Sequence, residues 1–505
     1  MAGETLPSWV AGRDAERPAL EAGGARLDYG GLRRVVGDLA ARLAAAGLAP
    51  GDRALLVLPS GPEQLVALLA VGSLGGVAVP LDARSGAARL AHVAEATAPR
   101  LGLVGEEGPS PPGVESLPLS LDLRGPEVRV AGERLAATGQ GAAGPRPGPG
   151  DPALIRFTSG STGRPKGVVL THGQQLGTAR TLSRVFRLAE DHRELMVASM
   201  AYSGGWQRVA ATLVAGGCVA WPETGPLSVP GLLEDLEGLG ATGFFSPPPL
   251  VRLVLATPEA RTRPALAGCR CIEIGSAAIA AEELGRLLDL APAARVFVHY
   301  GLTECSRALI LDARAHPSKL GSVGLPAPGV EVEVRDAAKR PLPAGRPGRI
   351  FLRGPQLARA YWEGPGRERP LGDWLATGDR GVLDADGFLT FLGREDDRIN
   401  AGGHSFHPAE VERELGPVDG VASYLVVGVP DPRGVLGEVP VVLVVAAGGP
   451  GDGRGALLAA ARCRLPPHMV PRRALAVAEL PLTASGKPDR RRAAALFDAS
   501  PGDEP

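Results

Sequence analysis

The chain is short of lysine: of 54 basic residues only Lys166, Lys319, Lys339 and Lys487 are lysines. Aromatic residues make up only 4% of it, and its five cysteines are scattered. Net charge is −1, which excludes a strongly basic surface for nucleic acid or anionic membrane, so neither partner is expected. The run Arg490–Arg492 is short and reads as a solvated helix start. No stretch reaches the roughly 20 apolar residues of a membrane span. The longest, Val66 to Leu81, is broken by glycines and Ser73, so no integral membrane contact is expected. The first residues show no basic-then-apolar leader pattern. Cys269 and Cys271 form a lone Cys-x-Cys without a second pair, which argues against zinc. An odd set of scattered thiols reads as a reduced, cytoplasmic chain.

The scarcity of lysine makes the four that remain informative. In a chain this rich in Ala, Gly, Arg and Pro, a retained lysine points to a site that needs a compact ammonium on a flexible stem.

At 505 residues, 44% hydrophobic and 22% charged, the chain predicts two or three globular domains. Short apolar runs alternate with helical patterns. "ALLVLP" (54–59), "GVAVPL" (76–81) and "LGLV" (101–104) read as buried strands, with helices over 61–71 and 85–97, the second capped by Ser85. The rhythm resumes at 194–200, 218–221, 243–247, 271–277 and 296–301. Such alternation predicts an α/β fold of layered, largely parallel sheets. Residues 105–151 read as a Pro/Gly-rich surface excursion, and about 324–392 as a β-rich subdomain. A small C-terminal α+β domain is expected over 395–505, leaving 1–394 as the large N-terminal domain.

"TSGSTGRPKG" (158–167) gathers Thr158, Ser159, Gly160, Ser161, Thr162, Gly163 and Lys166 between a strand-like "ALIRF" (153–157) and a helix expected after Thr171. It is not a Walker loop: Pro165 takes the second glycine slot, and Gly167, not a hydroxyl residue, follows Lys166. Hydroxyls and bare backbone N–H groups can still surround phosphate oxygens, with Lys166 on the terminal phosphates.

This loop resembles that of the adenylate-forming superfamily, and four more motifs follow in that family's order. They are "YGLTE" (300–304), "TGD" (377–379), "GREDDRI" (393–399) and "PLTASGKPDR" (481–490). The resemblance implies activation of a carboxylic acid by ATP and Mg2+ to acyl-AMP and pyrophosphate, then transfer to CoA. By it, Thr303 donates to the α-phosphate and Glu304 holds magnesium. Tyr300 stacks on adenine, between flanking His299 and Gly301, and Gly275, Ser276 and Ala277 line the base's other side. Asp379 takes the ribose hydroxyls, supported by Arg394. Lys487 bridges carboxylate and α-phosphate, and Asp396 is the hinge of a mobile C-terminal domain. "INAGGHSFHPAEVE" (399–412) is similar to the aryl- and acyl-CoA ligase form, which makes Gly402 and Gly403 the lining of a pantetheine tunnel. His404 and His407 lack a third ligand for a metal.

The chain departs from the family at "SMAYSGGW" (199–206), where Ser199 and Tyr202 take the places of a proline and a gate histidine. No acidic residue is there to meet an α-ammonium, which argues against an amino-acid substrate. Tyr202, Trp206 and Phe245 either line an apolar acid pocket or are core. Four readings stand: an aryl- or acyl-CoA ligase, and a stand-alone adenylating enzyme serving a carrier-protein phosphopantetheine or an amine. The others are a phosphotransferase, which the loop argues against, and a luciferase-like or silent binding protein, which the lysine loop argues against. The expected partner is a small carboxylic acid, with an acyl carrier protein as an alternative acceptor and a monomer or homodimer as the assembly.

Overall fold

The computed structural model describes residues 4–124, 127–130, 133–134, 147–158, 165–223, 228–401, 404–448, 453–483 and 487–498. Among the described residues, continuous apolar runs become strands buried on both faces, the usual outcome when helices cover a parallel sheet. In a ten-stranded sheet, Arg53–Leu58 lies between Val77–Asp82 and Leu101–Val104, all parallel. In a nine-stranded sheet, Arg295–Tyr300, Cys271–Ile274, Gly243–Ser246, Arg193–Leu195 and Cys218–Ala220 lie side by side and parallel. Their C-terminal ends open into the loops at 275–277 and 301–305, the edge where open α/β sheets bind ligands.

A four-stranded antiparallel sheet follows, formed by Glu331–Arg335, Gly348–Arg353, Leu375–Leu383 and Leu389–Arg394. Beyond it, Val421–Pro430, Glu438–Ala446 and Arg473–Ala476 form a small sheet with the helices Pro408–Leu415, Arg454–Arg464 and Arg490–Asp498, around apolar clusters of their own. The fold is thus the expected α/β architecture with a small C-terminal α+β domain. No helix of the described residues is long and apolar enough to cross a membrane.

One local expectation holds and three change. The helix expected after Thr171 is present, and a strand precedes it. Pro152–Thr158 and Lys166–Thr171 pair antiparallel with Lys166 opposite Thr158, because Val168–Leu170 is a buried strand run. The helix starts at His172, capped by Thr171 in a capping box with Gln174. Ser85 is not a cap: its N–H bonds the Asp82 carbonyl in a turn, and Gly86 precedes the helix Ala87–Thr97. Within 105–151, Ser116–Asp122 joins the ten-stranded sheet beside Leu101–Val104. From the β-rich stretch, Ala360–Gly364 and Arg367–Pro370 also leave to extend that sheet past Lys166–Thr171.

Candidate active site

Strand alternation splits His299 and Tyr300 to opposite sides. Tyr300, 9% exposed, donates its hydroxyl to Asp379 Oδ2 at 2.6 Å, with its ring 5.8 Å from Phe391. Asp379 is 4% exposed, and its Oδ1 accepts no hydrogen bond from the described residues. Arg394, opposite Asp379 in the strand register, holds its Nε 3.6 Å from that oxygen. Burial pushes the Asp379 carboxyl above its ordinary value, against Tyr300, Arg394 and Lys487, which act to lower it. A buried carboxylate with an open oxygen is an acceptor waiting for donors.

The turn after Tyr300 is tight. Leu302 and Cys305 exchange backbone bonds at 3.1 and 3.2 Å, placing Thr303 and Glu304 at the strand end. Gly301 has no room for a Cβ, which would lie 2.5 Å from the Arg307 nitrogen. Tyr361, which the motifs did not reveal, donates its hydroxyl to Glu304 Oε1 at 2.8 Å. The Lys166 ammonium stands 5.9 Å from the Tyr361 ring centroid, linking the phosphate loop to Glu304. On the neighbouring strand end, Ser276 has φ +79°, a strained conformation for a residue with a Cβ.

Lys487 comes from the small domain and is anchored by exchange between its backbone and Thr483. The residue is exposed, yet its ammonium feels the charges of Asp379, Glu304 and Arg394. Desolvation by the surrounding protein and then Arg394 push the ammonium below its ordinary value, while Asp379 and Glu304 pull it up. Glu304 with Tyr361 and Asp379 with Arg394 thus form two pairs, and the Lys487 ammonium feels the charges of Glu304, Asp379 and Arg394.

A family model described as "AMP-binding enzyme" matches residues 8–362, and "AMP-binding enzyme C-terminal domain" matches 410–487. The chain belongs to the AMP-binding enzymes. It is 36% identical over 96% of its length, and 98% of the relative's, to a feruloyl-CoA synthase of Amycolatopsis sp. It is also 31% identical to the fatty acid–[acyl-carrier-protein] ligase ScoC of Streptomyces coeruleorubidus, over 88% of this chain and 86% of that one. Among solved structures, ATP-bound MatB from Rhodopseudomonas palustris superposes with a TM-score of 0.84 at 25% identity, over 98% of this chain and 99% of that one.

Behind the nucleotide side, this AMP-binding enzyme buries a run of charges. Glu273, fully buried, accepts from Arg307 Nε and Nη2 at 2.8 and 3.1 Å and lies 2.6 Å from His299 Nδ1. Arg208 stands 3.6 Å from Glu273 and bonds Glu194, which also meets His192 at 2.9 Å. Burial alone would raise Glu273, but Arg307 and His299 overcome it and hold the carboxyl far below its usual range. Gly275 makes room for this arrangement, since a Cβ there would lie 2.1 Å from the His299 ring.

The three aromatic candidates separate. Phe245 packs 5.5 Å from His299, under the Arg307 guanidinium. Tyr202 is partly buried near Asp82, Arg84 and Arg89, and burial raises its phenol. Trp206 faces the N-terminal core, 3% exposed, where its indole N–H finds Gln175 at 2.6 Å, because a buried indole needs an acceptor. Arg156 also escaped notice. It is 2% exposed in the strand Pro152–Thr158 and bonds the Met200 and Ala201 carbonyls, tying that strand to the Tyr202 segment. Burial lowers its guanidinium to about 9.

Ser159, Gly160, Ser161, Thr162 and Gly163 lie outside the described residues, as do Gly402 and Gly403. Thr158 and Lys166 flank the first group, and Ala401, paired with His404, flanks the second. Asp396 is exposed in the short helical turn Glu395–Asp397 that separates the four-stranded sheet from the small domain. His404 stacks on His468 at 4.3 Å, whereas His407 packs against Gly393.

Proposed function

We propose that the protein adenylates a small carboxylic acid with ATP and passes the acyl group to the thiol of CoA. The observation that carries this reading is Lys487, brought by the small domain within electrostatic reach of Asp379, Glu304 and Arg394, beside the Asp379 oxygen left open by Tyr300 and Arg394. In the first step a carboxylate oxygen attacks the α-phosphorus, the bond to the β-phosphate oxygen breaks, and pyrophosphate leaves. Lys487 bridges the two anions, lowering their repulsion where charge builds, and Thr303 donates to an α-phosphate oxygen. Asp379 Oδ1 receives ribose hydroxyls, its partner oxygen held by Tyr300, while the phosphate loop and Lys166 hold the departing pyrophosphate.

Among the described residues no group of three or more His, Cys, Asp or Glu is gathered to hold a metal. Glu304, with Oε1 oriented by Tyr361, would serve as the carboxylate ligand of a magnesium ion held otherwise by phosphates. The ion's chemistry there is charge neutralisation on the phosphates.

In the second step the thiol sulfur attacks the acyl carbonyl and AMP departs. It requires the small domain, 395–505, to turn about Asp396 and present Gly402 and Gly403 to the pantetheine arm. The acid is aryl or medium apolar, by the Phe245 wall. A carrier-borne phosphopantetheine presents the same thiol, and the likeness to a carrier-protein ligase favours it as the second reading. Acid-dependent pyrophosphate release, assayed with and without CoA, tests both. Thioester formed on CoA supports the first reading, and acyl-AMP that persists despite CoA contradicts it.

A further inference from the structure

The segment Ser199 to Gly204 ties the two large sheets together, and two buried arginines make the tie. Arg156 lies in Pro152–Thr158 of the ten-stranded sheet, opposite Val168 and just before the paired strand ends Thr158 and Lys166. Its Nη1 donates to the Met200 and Ala201 carbonyls at 3.0 and 2.6 Å. The Met200 N–H donates in turn to Ser60 Oγ, beyond the strand Arg53–Leu58 of the same sheet. From the other side comes Arg307, which follows the Thr303–Glu304 turn at the end of Arg295–Tyr300 in the nine-stranded sheet. Its Nη1 donates to the Ser203 carbonyl at 3.1 Å and its Nη2 to the Gly204 carbonyl at 2.8 Å, while Nε and Nη2 hold Glu273. The segment has no slack: the Tyr202 N–H bonds the Ser199 carbonyl, and a Cβ on Gly205 would lie 2.5 Å from that oxygen. Arg307 has φ +53°, a left-handed conformation that persists where the surroundings fix it. Arg156 has no carboxylate partner among the described residues, and its Nε and Nη2 bond none of them. Core packing alone would be better served by an apolar side chain, because an unpaired buried charge is costly.

We propose that Arg156 and Arg307 are positioning residues for acyl-AMP formation: through Ser199 to Gly204 they fix Thr158 and Lys166, on one sheet, relative to Thr303 and Glu304, on the other. The proposal rests on the adenylation reading above. In that step the bond between the α-phosphorus and the β-phosphate oxygen breaks, so groups on the departing pyrophosphate and groups on the α-phosphate must keep one geometry. In the thiol step pyrophosphate has already left, and the registry between the two sheets has nothing to align.

The test pairs pyrophosphate exchange, with benzoate, cinnamate and octanoate as the acids, with conversion of supplied acyl-AMP and CoA to thioester. Arg156→Met strands no carboxylate, and neither does Arg307→Met combined with Glu273→Leu, so both should melt within a few degrees of the parent. Each should lower kcat for exchange by about 10- to 100-fold, the scale of a displacement near 1 Å, with thioester formation within about threefold of the parent. Arg156→Lys, which returns a donor to the carbonyls, should recover part of the loss. Breaking a strut at one end already frees it, so joining the two sets of substitutions should cost about the larger single loss and not the product. Unchanged exchange in either variant, equal loss of both half-reactions in a folded variant, or multiplied losses overturn the proposal while leaving adenylation standing. If the Arg307 variant does not fold, Arg156→Met and Arg156→Lys decide alone. Absence of exchange by the unaltered enzyme with all of these acids overturns the adenylation reading and this inference with it.

Discussion

Replacing Asp379 by Asn separates nucleotide binding from folding. The carboxylate is 4% exposed, one oxygen accepts from Tyr300 at 2.6 Å, and the other has Arg394 at 3.6 Å and no hydrogen bond. An amide keeps the Tyr300 bond through its oxygen but turns a donor towards the ribose. Hydrogen bonds to a charged acceptor contribute about 1.5–3 kcal/mol each, so losing the ribose pair costs about 3 kcal/mol, or about 100-fold in ATP KM. Folding responds in the opposite sense. The native pKa is raised by burial, so the stability linked to this group is fully present below the unfolded carboxyl pKa and is lost as pH rises through the native one. Asn carries no such loss. The variant should therefore melt at or above the parent temperature at pH 7, with the difference vanishing near pH 4. Exchange kinetics and melting curves at the two pH values check this. An unchanged ATP KM, or a variant several degrees less stable at pH 7, would refute the reasoning.

Other outcomes follow from the same contacts. Glu273→Ala, which strands buried Arg307, should destabilise the fold by about 3–5 kcal/mol in urea titration, whereas Glu273→Leu with Arg307→Met should recover most of it. Tyr361→Phe frees Glu304 of its orienting hydroxyl, 2.8 Å away, and should raise the magnesium concentration for half-maximal rate by about tenfold without changing the ATP KM at saturating metal. Gly275→Ala places a methyl 2.1 Å from the His299 ring, and the resulting shift should cost about 1–3 kcal/mol of stability and most of the exchange activity.

The parallel strands were legible because Arg53–Leu58 and Val77–Asp82 are unbroken apolar runs bounded by turns. Tyr300, Asp379, Arg394 and Lys487 could be named from ordered motifs: Tyr300 and Arg394 end strands, and Asp379, inside Leu375–Leu383, follows Gly378 with φ +76°. Tyr361 could not. It acquires its place only because Ala360–Gly364 crosses to the ten-stranded sheet, a tertiary pairing with no local signal. Glu273 and Arg307 were equally hidden, for a carboxylate inside "CIEI" gives no hint of which arginine neutralises it. The helix after Thr171 was legible and starts at His172, whereas the strand Lys166–Thr171 before it was not, because glycines and a lysine precede the short apolar run Val168–Leu170.

The central claim is that Lys487 serves acyl-AMP formation alone and leaves the site when the thiol enters. Lys487→Ala should lose acid-dependent pyrophosphate exchange by at least about 100-fold, yet convert supplied acyl-AMP and CoA to thioester at a rate within about threefold of the parent, in keeping with an interaction present in only one transition state. Equal loss of both half-reactions, or retained exchange, would contradict the account.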